Sequence, residues 1–155
     1  MIENVEQMPV YRAFFDLAAE VETATRSLGR DFQWLRSQAL RSSESVCANM
    51  SEGFYAQYST EYLQALYRCR REARETITHL KYGGTVSQLP ESAVDGFILR
   101  YEDALRQLAN LIASIERKIQ ERGKGKPLVP VDRKASERIL GNGPYSRANE
   151  SPHVP

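Results

Sequence analysis

The residues best equipped for chemistry lie between Gln38 and Gly53, in the stretch QALRSSESVCANMSEG. It closes on Asn49, Ser51 and Glu52, followed by Gly53 as a helix stop in the left-handed conformation. A carboxamide and a carboxylate three residues apart share one helix face. The dipole near a helix C-terminus disfavours a carboxylate, so Glu52 needs a partner there: a backbone N–H, a serine or an arginine. Catalysis would need more than this quartet. Cys47 and Cys69 fall in apolar seams with no histidine near them in sequence, and they read as small core residues. The two histidines are His79 and His153. Glu75 and His79, four apart, could chelate one metal weakly, but a dinuclear bundle site needs a second Glu-x-x-His element, which is missing. Gly123-Lys124-Gly125-Lys126 follows a helix and is too short for a phosphate loop. The reading is therefore no catalytic residues, no metal and no cofactor. The quartet is a polar network that fixes the second helix against its neighbours.

Cations offer a different chemistry. Arg68, Arg70, Arg71, Arg74 and Lys81 form one basic run, and Arg26, Arg30, Arg36 and Arg41 another. Arg36, Arg41, Arg68, Arg71, Arg74 and Lys81 are the candidate phosphate contacts. The competing reading is a solvated face in which Glu72 and Glu75 pair with Arg68, Arg71 and Lys81 along the same helix. Tyr55, Tyr58, Tyr62 and Tyr67 offer surfaces on which unpaired bases could stack, although aromatics at this spacing are more often core or interface. A formal net charge of +1 gives no global basic field, so any nucleic-acid site must be a local patch.

Four helical segments must position these groups. In the first, Met8 to Leu28, Val10, Phe14, Leu17, Val21, Ala24 and Leu28 recur at spacings of 4-3-4-3-4, with Pro9 at the start. The second starts near Asp31, a good N-cap, and its middle is weakened by Ser42, Ser43 and Ser45. The third, capped by Ser59 or Thr60, carries Tyr62, Leu66, Cys69, Ala73, Ile77 and Leu80 and ends at Gly83-Gly84. The fourth, from Glu91, holds Val94, Ile98, Tyr101, Leu105, Leu108, Ile112, Ile115 and Ile119 in register. A second line, Phe97, Ala104, Leu111 and Lys118, doubles its apolar face and suggests contacts both inside the bundle and between subunits. Strand signals are absent. The expected class is all-α, an antiparallel up-down-up-down four-helix bundle over 1–122.

The 155-residue chain fits one domain. Residues 123–155 hold most of the prolines and read as a flexible basic tail, with one short helical turn at Ser136 to Leu140. The acidic N-terminus lacks an apolar signal core, and no apolar run approaches a membrane span. With two cysteines that need no disulfide, the default location is the cytoplasm.

The second and third helices resemble a known family, the bacterial four-helix bundle proteins encoded in intervening sequences of 23S rRNA. Its pattern, close to Q-x-x-R-x-x-x-S-x-x-x-N-x-x-E-G, falls here on Gln38, Arg41, Ser45, Asn49, Glu52 and Gly53. Glu61-Tyr62 and Glu75 match later positions, and the resemblance spans roughly Val10 to Lys118. Arg71-Glu72 stands where members commonly have Gly-Ser. The resemblance implies a pentameric ring. It also implies kinship to the accessory variability determinant of diversity-generating retroelements, a pentamer that binds a reverse transcriptase and structured RNA. The expected function is a non-enzymatic oligomeric accessory protein that binds structured RNA through its basic helix faces, alongside a reverse transcriptase or another protein. The alternative is a scaffold that docks an enzyme partner without touching nucleic acid.

Overall fold

A computed structural model describes residues 1–123 of the chain. The expected tail, its basic residues and the turn at Ser136 to Leu140 lie outside the described residues. The protein is all-α: α1 (Pro9–Thr25), α2 (Gln33–Phe54), α3 (Ser59–Thr85) and α4 (Glu91–Gly123), with 3-10 turns at Val5–Gln7 and Arg30–Phe32. No strand occurs among the described residues. No helix among them is long and apolar enough to cross a membrane.

Each helix packs beside two others. α1 lies on α2, α2 on α3, α3 on α4, and α4 returns to α1, which closes a four-sided core. Along α2 the α3 partners run backwards turn by turn: Arg41 and Ser42 meet Glu75 and Thr76, Asn49 meets Arg68, and Gly53 lies against Ala65. Phe14 of α1 and Tyr101 of α4 pack in the centre with ring centroids 6.1 Å apart.

The apolar seams are buried as their periodicity predicts. Phe14, Leu17 and Val21 of α1 are fully buried, as are Leu66 and Leu80 of α3 and Leu108 of α4. On α4 the second apolar line turns inward in part: Phe97 and Ala104 are buried, Leu111 is half-buried and Lys118 is exposed. α4 sits between α1 and α3, and two neighbours need two faces.

The helix ends differ from expectation. α1 stops at Thr25, whose hydroxyl bonds back to the carbonyl of Val21 at 2.7 Å. Asp31 lies inside a 3-10 turn, and no side chain caps α2. Neither Ser59 nor Thr60 caps α3, which begins after Tyr58 with no side-chain cap bond. The left-handed residue after α3 is Ser87, at φ 61°, and no glycine among the described residues has positive φ.

Gly53 is thus not a left-handed stop. It is buried and helical, one residue before the end of α2. A Cβ placed there would sit 2.5 Å from the Cβ of Ala65 and 3.0 Å from Tyr62 Cδ2. The glycine is required because α2 and α3 touch at this point. Buried Ser42 and Ser43 keep α2 slim further along, and Thr76 Oγ1 lies 2.7 Å from Ser42 Oγ, which itself bonds to the carbonyl of Ala39 at 3.3 Å. Gly53→Ala should destabilise the protein by about 1–3 kcal/mol, the usual cost of overpacking a tight contact. Urea denaturation measures it; an unchanged midpoint would show that α2 and α3 can part there without cost.

Candidate functional site

The family-like positions fall on one stripe of α2. Gln38, Arg41, Ser45, Asn49 and Glu52 follow each other at spacings of 3, 4, 4 and 3, the repeat of a helix seam. Here the seam is polar and runs along the outer edge of the α2–α3 contact. Arg41 is its hub. Its guanidinium donates to Gln38 Oε1 at 3.3 Å, lies 3.3 Å from Glu72 Oε2, and hydrogen-bonds Glu75. His79 Nε2 lies 3.3 Å from the same Glu75 carboxylate. Two turns on from Arg41, Asn49 donates to the carbonyl of Ser45 at 2.8 Å and accepts from Arg68 Nε at 2.9 Å. A polar network is present, but of the expected quartet only the Asn49 side chain bonds into it, and Glu72 and Glu75 reach across to α2 instead of pairing with cations along α3.

Glu52 breaks the pattern. It is exposed and makes no hydrogen bond or ion pair among the described residues. With Gly53, Thr60, Gln64 and Arg68 it lines an open hollow of about 530 Å³ at the α2–α3 turn.

The six candidate phosphate contacts divide into three groups. Arg36 and Arg41 are committed to acids: Arg41 to Glu72 and Glu75, and Arg36 to Glu22, with Nη2 3.0 Å from Oε1 in the α1–α2 groove, away from the others. Arg68 is half-buried and holds Asn49. Arg71, Arg74 and Lys81 are exposed on α3. Their spacings of 3 and 7 put them on one outward stripe. Arg74 bonds Glu102 of α4, whereas Arg71 and Lys81 make no ion pair among the described residues.

The tyrosines are mostly occupied. Tyr62 is half-buried, with its hydroxyl 3.6 Å from the sulfur of Met8, and desolvation followed by the nearby Cys69 pushes its pKa up to about 12. Tyr67 donates to Glu116 and carries Arg70 over its ring at 5.1 Å. Tyr55 is 60% exposed and accepts the backbone N–H of Val5 at 3.3 Å. A feature that the spacing of arginines and tyrosines did not reveal is the exposed pair Trp34 and Tyr82, with centroids 5.9 Å apart across the start of α2 and the end of α3. The signal was present in the single tryptophan of the chain, placed one turn before Gln38 on the same stripe.

Burial pushes both cysteine thiols up to about 12, so they stay protonated and unreactive at neutral pH. Among the described residues no group of three or more His, Cys, Asp or Glu could hold a metal ion. Between α1 and α2 lies an apolar groove of about 570 Å³, lined by Tyr11, Phe15, Ala18, Leu40, Cys47 and Ala48 and rimmed by Glu22 and Glu44.

The profile of the 23S rRNA-intervening sequence protein family matches residues 6–110. The chain belongs to that family. The match takes in the whole α2–α3 seam and most of α4. A search of curated proteins finds no match.

Glu75 gives this network a pH signature. Partial desolvation raises its pKa, but the hydrogen bonds from Arg41 and His79 and their charges outweigh it and hold the carboxyl below its ordinary 4.5. A depressed carboxyl pKa adds stability that is present above the unfolded value and lost as pH falls through the folded value. Arg41→Gln should therefore cost about 0.5–1 kcal/mol near neutral pH, discounted for solvent exposure, and this gap should close below about pH 4. Urea denaturation of both proteins at pH 7 and pH 3 tests it. A gap that persists undiminished at pH 3 would mean that Arg41 acts through packing instead.

Proposed function

We propose that this family member is a non-enzymatic accessory protein that binds structured nucleic acid, foremost RNA, on the outward face of α3. The observation that carries this reading is the stripe of Arg71, Arg74 and Lys81, exposed together beside a seam whose two glutamates, Glu72 and Glu75, are turned towards Arg41 of α2. Helical rise spreads these cations over about 15 Å, enough to follow successive phosphates. Arg74 must leave Glu102 to take part, a small cost because exposed ion pairs are worth about 0–1 kcal/mol.

The reversed pairings along α2 and α3 support an up-down-up-down antiparallel bundle. The family resemblance supports its assembly into a pentameric ring, with a reverse transcriptase or another protein as partner. A ring of five copies would turn one modest patch into a strong combined site, which matters more than a net charge of +1. Buried free thiols suit a reducing compartment, and we place the protein in the cytoplasm.

Binding of a fluorescent RNA hairpin at low and at moderate salt tests the proposal. The triple variant Arg71→Ala, Arg74→Ala, Lys81→Ala should bind at least tenfold more weakly at low salt. Its salt slope should fall by about 0.7–0.9 for each phosphate that is no longer neutralised. No binding at low salt, or unchanged affinity of the variant, would sink it.

A second reading has its own support. The α1–α2 groove exposes Phe15 at 54% within an apolar lining, as a protein–protein contact would. Here the protein is a scaffold whose ring docks an enzyme partner without nucleic acid. Light scattering of the wild type should give a multiple of the 17.6 kDa chain, and Phe15→Asp should lower it if the groove joins subunits. A wild-type mass of one chain would remove both the ring and the avidity argument. A partner captured from lysate and insensitive to nuclease would favour the scaffold.

A further inference from the structure

Trp34 and Tyr82 stand apart from every other aromatic contact in the described residues. They are 52% and 44% exposed, yet their rings pack on each other at 5.9 Å and 51°. Their positions are fixed from beneath. Leu35 is buried beside Gly83, where a Cβ would come within 3.6 Å of Leu35 Cδ2, so the neighbouring Trp34 and Tyr82 are held at the lip of that contact. The pair is thus an exposed aromatic ledge on a buried footing.

We propose that this ledge is the stacking platform for an unpaired base of the bound RNA; the inference rests on the RNA-binding reading above. Three observations select a base as the occupant. Tyr82 lies eleven residues from Arg71, close to three full turns, and so on the same side of α3 as the cation stripe. Lys81, next to Tyr82, and Arg30, one turn before Trp34, are exposed cations without an ion pair among the described residues, so each ring has a cation near it in sequence, with the carboxylate of Asp31 beside Arg30. A ledge of two rings also fits one planar group, because bases stack on aromatic faces without regard to sequence. Duplex RNA keeps its bases paired and would leave the ledge empty, so the platform selects loops, bulges or single strands.

The single tryptophan makes the test direct, because its fluorescence reports Trp34 alone. A hairpin with an unpaired loop and a blunt duplex of equal length are titrated against the full chain. The hairpin should quench Trp34 emission and the duplex should not. Trp34→Ala should bind the hairpin about tenfold more weakly and the duplex as the wild type does. Trp34→Phe, which keeps a ring, should restore most of the affinity and guards against a folding defect. If the hairpin binds without quenching, or Trp34→Ala binds it normally while the Arg71, Arg74 and Lys81 variant does not, the platform is refuted and the phosphate stripe stands. If neither RNA binds, both fall. A drop in assembly mass for Trp34→Ala would instead assign the ledge to a subunit contact and overturn the proposal.

Discussion

The close approach of α2 and α3 is the constraint on which the rest of the protein depends. At one end it is set by Gly53, against which Ala65 leaves no room for a Cβ. At the other, Gly83 lies between Leu35 and Leu89. Between them α2 buries serines where a bundle helix would ordinarily bury larger apolar groups. Where the two backbones meet, buried polar groups must be satisfied by each other, since an unmade buried bond costs more than a made one contributes; along the exposed edge the same closeness brings charged side chains of the two helices within reach. Thr76 with Ser42, Asn49 with Arg68 and Arg41 with its two glutamates are the result.

That pairing decides which cations remain available. Arg41 and Arg71 look equivalent in the sequence, each an arginine on a basic helix. The register of α3 against α2 gives the first two carboxylates and leaves the second with none among the described residues. Glu72 and Glu75 share the one positive charge of Arg41 across the seam, which offsets part of their repulsion of an approaching phosphate.

Much of the architecture was legible because it rests on periodicity. α4 could be read from its alternating spacings of four and three, and the small core cysteines from their place in such seams. What failed were inferences that require a neighbour. Gly53 announces a stop to any reader of sequence, and the same residue type serves equally where a second helix comes too near for a side chain. The doubled apolar face of α4 could not name its neighbours within the chain, which are α1 and α3. Trp34 and Tyr82 lie far apart in the chain, and neither draws notice alone; only their meeting across two helix ends makes a surface.

Charge is also distributed around the bundle in a way the near-zero total conceals. α3 carries Arg68, Arg70, Arg71, Arg74 and Lys81 against three glutamates, whereas α1 has Arg12 alone against Asp16, Glu20 and Glu22. These two helices do not adjoin and occupy opposite corners of the core. An anion approaching the molecule is therefore turned towards α3, and long-range fields guide such encounters even where contacts are few. The apolar groove with Phe15 lies on the acidic side, between α1 and α2. A nucleic acid on α3 and a protein in that groove would not compete for the same surface. The two functional readings thus use separate faces of one bundle, and a ring closed through the α1–α2 side would leave every α3 stripe exposed to its ligand.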